Sequence, residues 1–298
     1  MTGTAGKVEE VFGPKLRDFT TIGIGGSAER MVFPRSVQEI QEILKAEREM
    51  GREVRFLGAG SNLLVHDGGV RGTVLCLKKN MGKMLFSSGG SVIAEGGTML
   101  PRFAVLCALS GLSGVEELAG IPGTVGGGMT MNAGAFGRSI GEIAEWVEIV
   151  DEEGGLHRFE TRDIRLGYRA AEFPVRGVIS RVGFRLAPGV PDQVFERMKQ
   201  INEKRRARQP WGKRTFGSTF RNPPDRESAG RLLDLAGMKG AREGDAAFSE
   251  KHANFLVNTG RATASDALRL IERGRERVRI TAGVRLALEV KLWGPMSD

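Results

Sequence analysis

Cysteine, tyrosine and histidine are scarce in this chain: two, one and three of its 298 residues. Cys76, inside Val74-Leu75-Cys76-Leu77, and Cys107, inside Val105-Leu106-Cys107-Ala108, form no Cys-x-x-Cys pair and no disulfide framework. Each sits among apolar neighbours, as small buried thiols do, and this usage fits a reducing compartment. His66, His157 and His252 are dispersed, so no metal-ligand spacing exists and no metal site is expected. At 6% aromatic, the chain lacks the stacking platforms of a single-strand binder. Its net charge of +8 is therefore expected to serve small polyanions, not nucleic acid. No run approaches the ~18 apolar residues that a membrane span needs, and the first ten residues carry no apolar signal core. A cytoplasmic protein without membrane insertion is expected.

Glycine, by contrast, is abundant, with 43 residues. The densest stretch reads Gly120-Ile-Pro-Gly-Thr-Val-Gly-Gly-Gly-Met-Thr-Met-Asn-Ala-Gly-Ala-Phe-Gly137. Backbone without side chains can converge its amides on an anion such as a pyrophosphate, which makes this a candidate phosphate cradle; a plain surface loop is the simpler alternative. Ile121, Val125, Met129, Met131 and Phe136 argue against a flexible linker. A second run, Gly58-Ala59-Gly60-Ser61-Asn62-Leu63, follows a strand expected at Val54 to Leu57. It opens like a dinucleotide fingerprint, but Leu63 stands where a third glycine belongs and strand, not helix, follows. That disfavours a Rossmann turn and leaves exposed amides of a different geometry. Thr20 to Ala28 is a third, weaker glycine-rich turn.

Around these loops the pattern is α+β. Ser36-Val37-Gln38-Glu39 reads as a capping box opening a helix with Val37, Ile40, Ile43 and Leu44 on its apolar face and ending at Gly51. Strands are expected at Gly72 to Leu77 and Ser91 to Glu95, then a helix capped by Thr98 with Pro101 in its first turn. Ala144 to Val150 and Leu156 to Phe159 read as a hairpin, and Val178 to Leu186 as a further strand. Pro188-Gly189-Val190-Pro191 is the clearest break. Beyond it come a helix from Asp192 to Arg208 with a basic end, helices near Ser228 to Ala236 and Ser265 to Arg279, and strands at Phe255 to Asn258 and Leu286 to Trp293.

Two glycine loops, the turn Gly217-Ser218-Thr219-Phe220-Arg221-Asn222-Pro223, the pair Tyr168-Arg169 and Glu289 near the C-terminus stand on one chain. Together they resemble the bacterial UDP-N-acetylenolpyruvoylglucosamine reductases, from Thr20 to Trp293. Ser249-Glu250-Lys251-His252-Ala253-Asn254-Phe255 is similar to the shorter form of that family, which lacks an extra tyrosine-bearing loop. The resemblance implies two α+β FAD-binding subdomains of the vanillyl-alcohol-oxidase type, expected over residues 1–78 and 79–188, and an α/β substrate domain over 192–298. It also implies non-covalent FAD, NADPH as electron donor, a UDP-sugar substrate and a step in peptidoglycan precursor synthesis. A monomer is expected.

By the same resemblance, Gly58, Ala59, Gly60, Ser61, Asn62 and Leu63 hold FAD from one side, and Gly123, Thr124, Gly127, Asn132, Ala133 and Gly134 from the other. Arg169, Ser218 and Glu289 are catalytic. A guanidinium stays charged and can take a carboxylate bidentately, and a buried carboxyl can stay protonated. Ser218 as proton donor comes from the resemblance alone. Tyr168, Arg208, Asn222 and Lys251 are substrate-side candidates, Arg208 standing where the family tends to have lysine. Ala171 and Phe136 replace a serine and a tyrosine often found there, and neither change removes a reacting group. An oxidase or dehydrogenase of the same architecture is the alternative enzyme, and a colourless nucleotide- or nucleic-acid-binding module the non-catalytic one.

Overall fold

A computed structural model describes residues 8–295 of the chain. Strict alternation makes some strands legible: in Ser91–Glu95 only Val92 and Ala94 are buried, the period of two that a pleated strand imposes. Others, such as Val70–Cys76, are buried at nearly every position, as continuous apolar runs are when both faces are covered.

The chain divides into two compact units. The first holds residues 8–13, Glu29–Ala59 and Gly72–Ile201. Its four-stranded sheet has the spatial order Glu9–Phe12, Ala28–Phe33, Val70–Cys76, Val54–Leu57. The last two run parallel, which requires a crossover. Helix α1 (Val37–Glu49) buries Val37, Ile40, Ile43 and Leu44 in a cluster with Val32, Leu75 and Leu77. Ser36 caps it by accepting the Glu39 N–H, while the Glu39 carboxylate takes the N–H of Arg35 and not that of Ser36. Gly51, at φ +63°, lies beyond its end.

A five-stranded antiparallel sheet follows, in the order Leu156–Glu160, Ala144–Asp151, Gly177–Arg185, Ser91–Glu95, Met84–Ser87. Helices α2 (Leu100–Leu109) and α3 (Val125–Thr130) contribute to the core over it, where the Phe103 and Phe184 rings lie 4.6 Å apart. Full burial of each such ring contributes about 1.5–3 kcal/mol. Helix α4 (Pro191–Arg208) adds Val194 and Met198 to the same core.

The second unit holds Pro14–Ala28, Gly60–Arg71 and residues 202–295. Its sheet runs Arg214–Ser218, Phe255–Asn258, Ala246–Phe248, Arg242–Glu243. Helices α5 (Ala229–Leu235) and α6 (Ala264–Ala282) pack on it around Phe216, Phe220, Phe248, Leu256 and Leu270. Ile22, Ile24 and Leu64 belong to this core, and Leu63–Val65 pairs in parallel with Lys291–Trp293. The units therefore group the chain differently from the segments 1–78, 79–188 and 192–298, because two short N-terminal excursions fold with the C-terminal residues.

Three local expectations are corrected. The cap of α2 is Met99, not Thr98, whose hydroxyl donates to Lys83 O instead. The strand expected over Leu286 to Trp293 is regular only at Lys291–Trp293; before it, Leu288 makes a single bridge to Phe220. The long glycine stretch is not all loop, since Thr124 caps the short helix α3 inside it by accepting the Gly127 N–H at 3.2 Å. Among the described residues no helix is long and apolar enough to cross a membrane.

Candidate active site

In the first unit the two glycine loops meet. A Cβ on Gly58 would lie 2.6 Å from Thr124 Oγ1, and one on Gly126 would lie 3.0 Å from Gly96 O. Only bare backbone fits there, which is the property a pyrophosphate cradle needs. The Thr124 hydroxyl is already committed to its cap. Further along, Asn132 and Phe136 have φ +40° and +53°. Phe136 and Gly137, both left-handed, form the two-residue turn between Gly134–Ala135 and Arg138–Ser139. The loop residues thus fit a cofactor held mostly by main chain.

Tyr168 and Arg169 form the turn between strands Arg165–Gly167 and Ala170–Glu172. Arg169 has φ +54°, uncommon outside glycine, and its guanidinium lies 5.3 Å from the Tyr168 ring. Tyr168 is exposed and Arg169 half-buried.

In the second unit Ser218 ends the strand Arg214–Ser218, whose register with Phe255–Asn258 shifts between Thr215 and Ser218. Gly217, at φ +84°, sits in that irregularity and donates its N–H to Thr215 Oγ1 at 3.1 Å. Such bulges re-aim the side chain that follows. Glu289 lies on the adjacent backbone: its N–H donates to Thr219 O at 2.9 Å, and the Arg221 N–H to Ala287 O. Ser218 and Glu289 are both half-buried. The structure thus places these two predicted residues on neighbouring segments.

The remainder of the first glycine loop joins them. Asn62 Nδ2 donates to Glu289 O at 3.1 Å, and Asn62 O accepts the Lys291 N–H. Gly60 has φ +62°, and a Cβ there would lie 2.2 Å from Phe19 O. Ser61 and Asn62 are half-buried, whereas Ala59 and Leu63 are buried. Lys251 Nζ donates to Arg206 O, and Arg206 stacks on Trp211 at 4.8 Å, near the exposed Arg208 in sequence. Asn222 Oδ1 accepts the Ala229 N–H at 3.0 Å, at the start of α5.

Two residues that sequence reasoning passed over fix this region. Asn254, buried, donates to Phe220 O at 2.8 Å and accepts the Phe220 N–H at 2.9 Å, while its own carbonyl takes the Thr219 N–H. Thr21 Oγ1 donates to Thr215 O at 2.7 Å and Thr21 N–H to Gly60 O. Thr21 lies in the third glycine-rich turn and Asn254 in the Ser249 to Phe255 motif, but nothing in either pattern names its partner. His252 beside Asn254 is held below its ordinary pKa by burial, and burial raises Cys107 to about 12.

Comparison with known proteins finds two domain models and full-length relatives. Residues 28–160 match the model of an FAD binding domain, and residues 209–293 that of the UDP-N-acetylenolpyruvoylglucosamine reductase C-terminal domain. The chain is 39% identical to the UDP-N-acetylenolpyruvoylglucosamine reductase of Moorella thermoacetica, covering 97% of this chain and 94% of the relative. It is 40% identical to that of Rubrobacter xylanophilus, covering 95% of each. The crystal structure of the Thermus caldophilus reductase superposes with a TM-score of 0.82 at 36% identity, covering 97% of this chain and 99% of that one.

Proposed function

The chain belongs to the UDP-N-acetylenolpyruvoylglucosamine reductase family, and from that premise we propose how its own residues carry the reaction. The enzyme reduces UDP-N-acetylglucosamine enolpyruvate to UDP-N-acetylmuramate with NADPH and FAD, in peptidoglycan precursor synthesis. When bound, FAD would supply what no side chain can, hydride chemistry between NADPH and the enolpyruvyl double bond. Gly58 to Leu63 and Gly123, Thr124, Gly127 and Asn132 to Gly134 hold it, mostly through main-chain groups.

Hydride addition to the terminal carbon leaves negative charge on the neighbouring carbon and its carboxylate. Arg169 takes that carboxylate through charge-assisted hydrogen bonds. Glu289 is the further group assigned to the developing charge. Ser218 Oγ gives the proton that completes the lactyl ether. Tyr168, Arg208, Asn222 and Lys251 are each assigned to the UDP-sugar, the cations to its diphosphate. The enzyme works in the cytoplasm, a reading that two free, buried cysteines support, and as a monomer.

The observation that supports the assignment of roles is the hydrogen bond from the Glu289 N–H to the carbonyl of Thr219, the residue after Ser218, with Asn62 bonded to Glu289 from the cofactor loop. The test is direct. Purified protein should show a flavin absorption spectrum and turn over NADPH catalytically only when the enolpyruvyl sugar is added. Colourless protein whose activity added FAD does not restore refutes the reading.

A further inference from the structure

Sequence reasoning places Asn132 among the cofactor contacts, yet both polar atoms of its side chain are engaged within the first unit. Nδ2 donates to Gly167 O at 3.0 Å, and Oδ1 accepts the Gly141 N–H at 3.2 Å. Gly167 immediately precedes the Tyr168-Arg169 turn. The hairpin bearing that turn is a separate two-stranded sheet with three paired positions. Leu166 and Ala171 pack its strands against the core, and the ion pair Arg165–Glu172 is exposed on both sides, so it contributes little. The bond from Asn132 reaches the turn itself.

Resting on the reductase reading of Arg169, we infer that Asn132 is a positioning residue: it ties the Arg169 turn to the glycine stretch, so that the segment holding FAD through its main chain also sets the direction of the arginine. Its φ of +40° suits asparagine. Few other residues could supply one donor and one acceptor there without backbone strain.

The variant of choice is Asn132→Gly, which removes both bonds while tolerating the left-handed backbone. In apoprotein, amide hydrogen exchange over residues 165–172 should quicken by about tenfold, with Ala144–Asp151 unchanged. In holoenzyme saturated with FAD, reoxidation by the enolpyruvyl sugar should slow about tenfold, by more than any change in flavin reduction by NADPH. In an Arg169→Ala background, Asn132→Gly should add less than about twofold, because the residue it positions is gone.

Asn132→Asp separates the two bonds. It keeps the acceptor for Gly141 but sets a carboxylate against Gly167 O, and it should reproduce the reoxidation defect. Unchanged exchange at 165–172, or a loss of FAD affinity that accounts for the whole effect, overturns the inference. Wild-type protein that binds no flavin defeats the functional reading instead, while the exchange result still decides the role of Asn132.

Discussion

Arg169 and Ser218 are held in opposite ways. Arg169 sits half-buried in the turn of a two-stranded hairpin, and beside it the Gly167 carbonyl accepts a side-chain bond from the glycine stretch. Ser218 ends a strand whose next two residues are buried and bonded on both sides, to Asn254 and to the Glu289 segment. The difference matches the chemistry proposed for each. An arginine that only has to meet a carboxylate can use its own length and charge to find it. A hydroxyl that must deliver a proton to one carbon has no such latitude, since misplacement by about 1 Å can cost about 10²-fold in rate.

The sharpest way to break this comparison is Ser218→Ala. Loss of a general acid should slow reoxidation of the reduced flavin by about 10²–10⁴-fold, with reduction by NADPH unchanged. Stopped-flow measurement of the two half-reactions separates them; reoxidation at the wild-type rate removes Ser218 from the mechanism. Asn254→Ala comes next. It leaves the Phe220 N–H and carbonyl without their partner in a buried place, at about 1–3 kcal/mol for each group. A lower thermal midpoint should accompany slower reoxidation, and a stable protein with full activity would show that the Ser218 turn needs no such support.

Arg169→Lys tests the other side. The exposed hairpin should tolerate it, with stability within about 0.5 kcal/mol of wild type. Lysine keeps the charge but loses the bidentate fork, so kcat/KM for the enolpyruvyl sugar should fall about tenfold to 100-fold. If the thermal midpoint fell instead and kinetics held, the arginine would be a structural residue and the contrast with Ser218 would collapse.

Much of this contrast was legible in advance, and the reasons differ by region. Most elements from Val37 to Asn258 followed from periodicity, caps and glycine punctuation, all local signals. The glycine loops announced a main-chain binding surface because so many amides lack side-chain cover. What the sequence could not show is the long-range bookkeeping of hydrogen bonds. Asn62 and Asn132 look alike as polar residues in glycine-rich stretches, but each side chain is spent on backbone at or near a proposed reacting group, Glu289 in one case and Arg169 in the other. Asn254 was visible only as part of a motif. Even the grouping of Pro14–Ala28 and Gly60–Arg71 with the C-terminal residues depends on contacts about 200 positions apart, such as Thr21 with Thr215, separated by 194 residues.

The smallest expected effect concerns a firmly held group of the unit that bears Arg169, and a pH experiment tests it. In the same unit Glu116 is buried, its carboxylate paired with Arg197 through Nε and Nη2 at 2.9 and 2.7 Å and accepting the Gly114 N–H. Burial pushes this carboxyl up, but Arg197 and the backbone donors outweigh it, and the net result lies below the ordinary value of 4.5. A depressed pKa in the folded state means that the stabilisation is fully present above pH 4.5 and is lost as pH falls through the lowered value. Wild type should therefore lose thermal stability on acidification below that point. Glu116→Gln should start lower and decline less steeply over the same window, because its amide does not titrate. Parallel melting curves against pH for the two proteins would show that the carboxylate is not held by Arg197 as the geometry requires, and the firmly fixed part of this unit would then have to be sought in its apolar core alone.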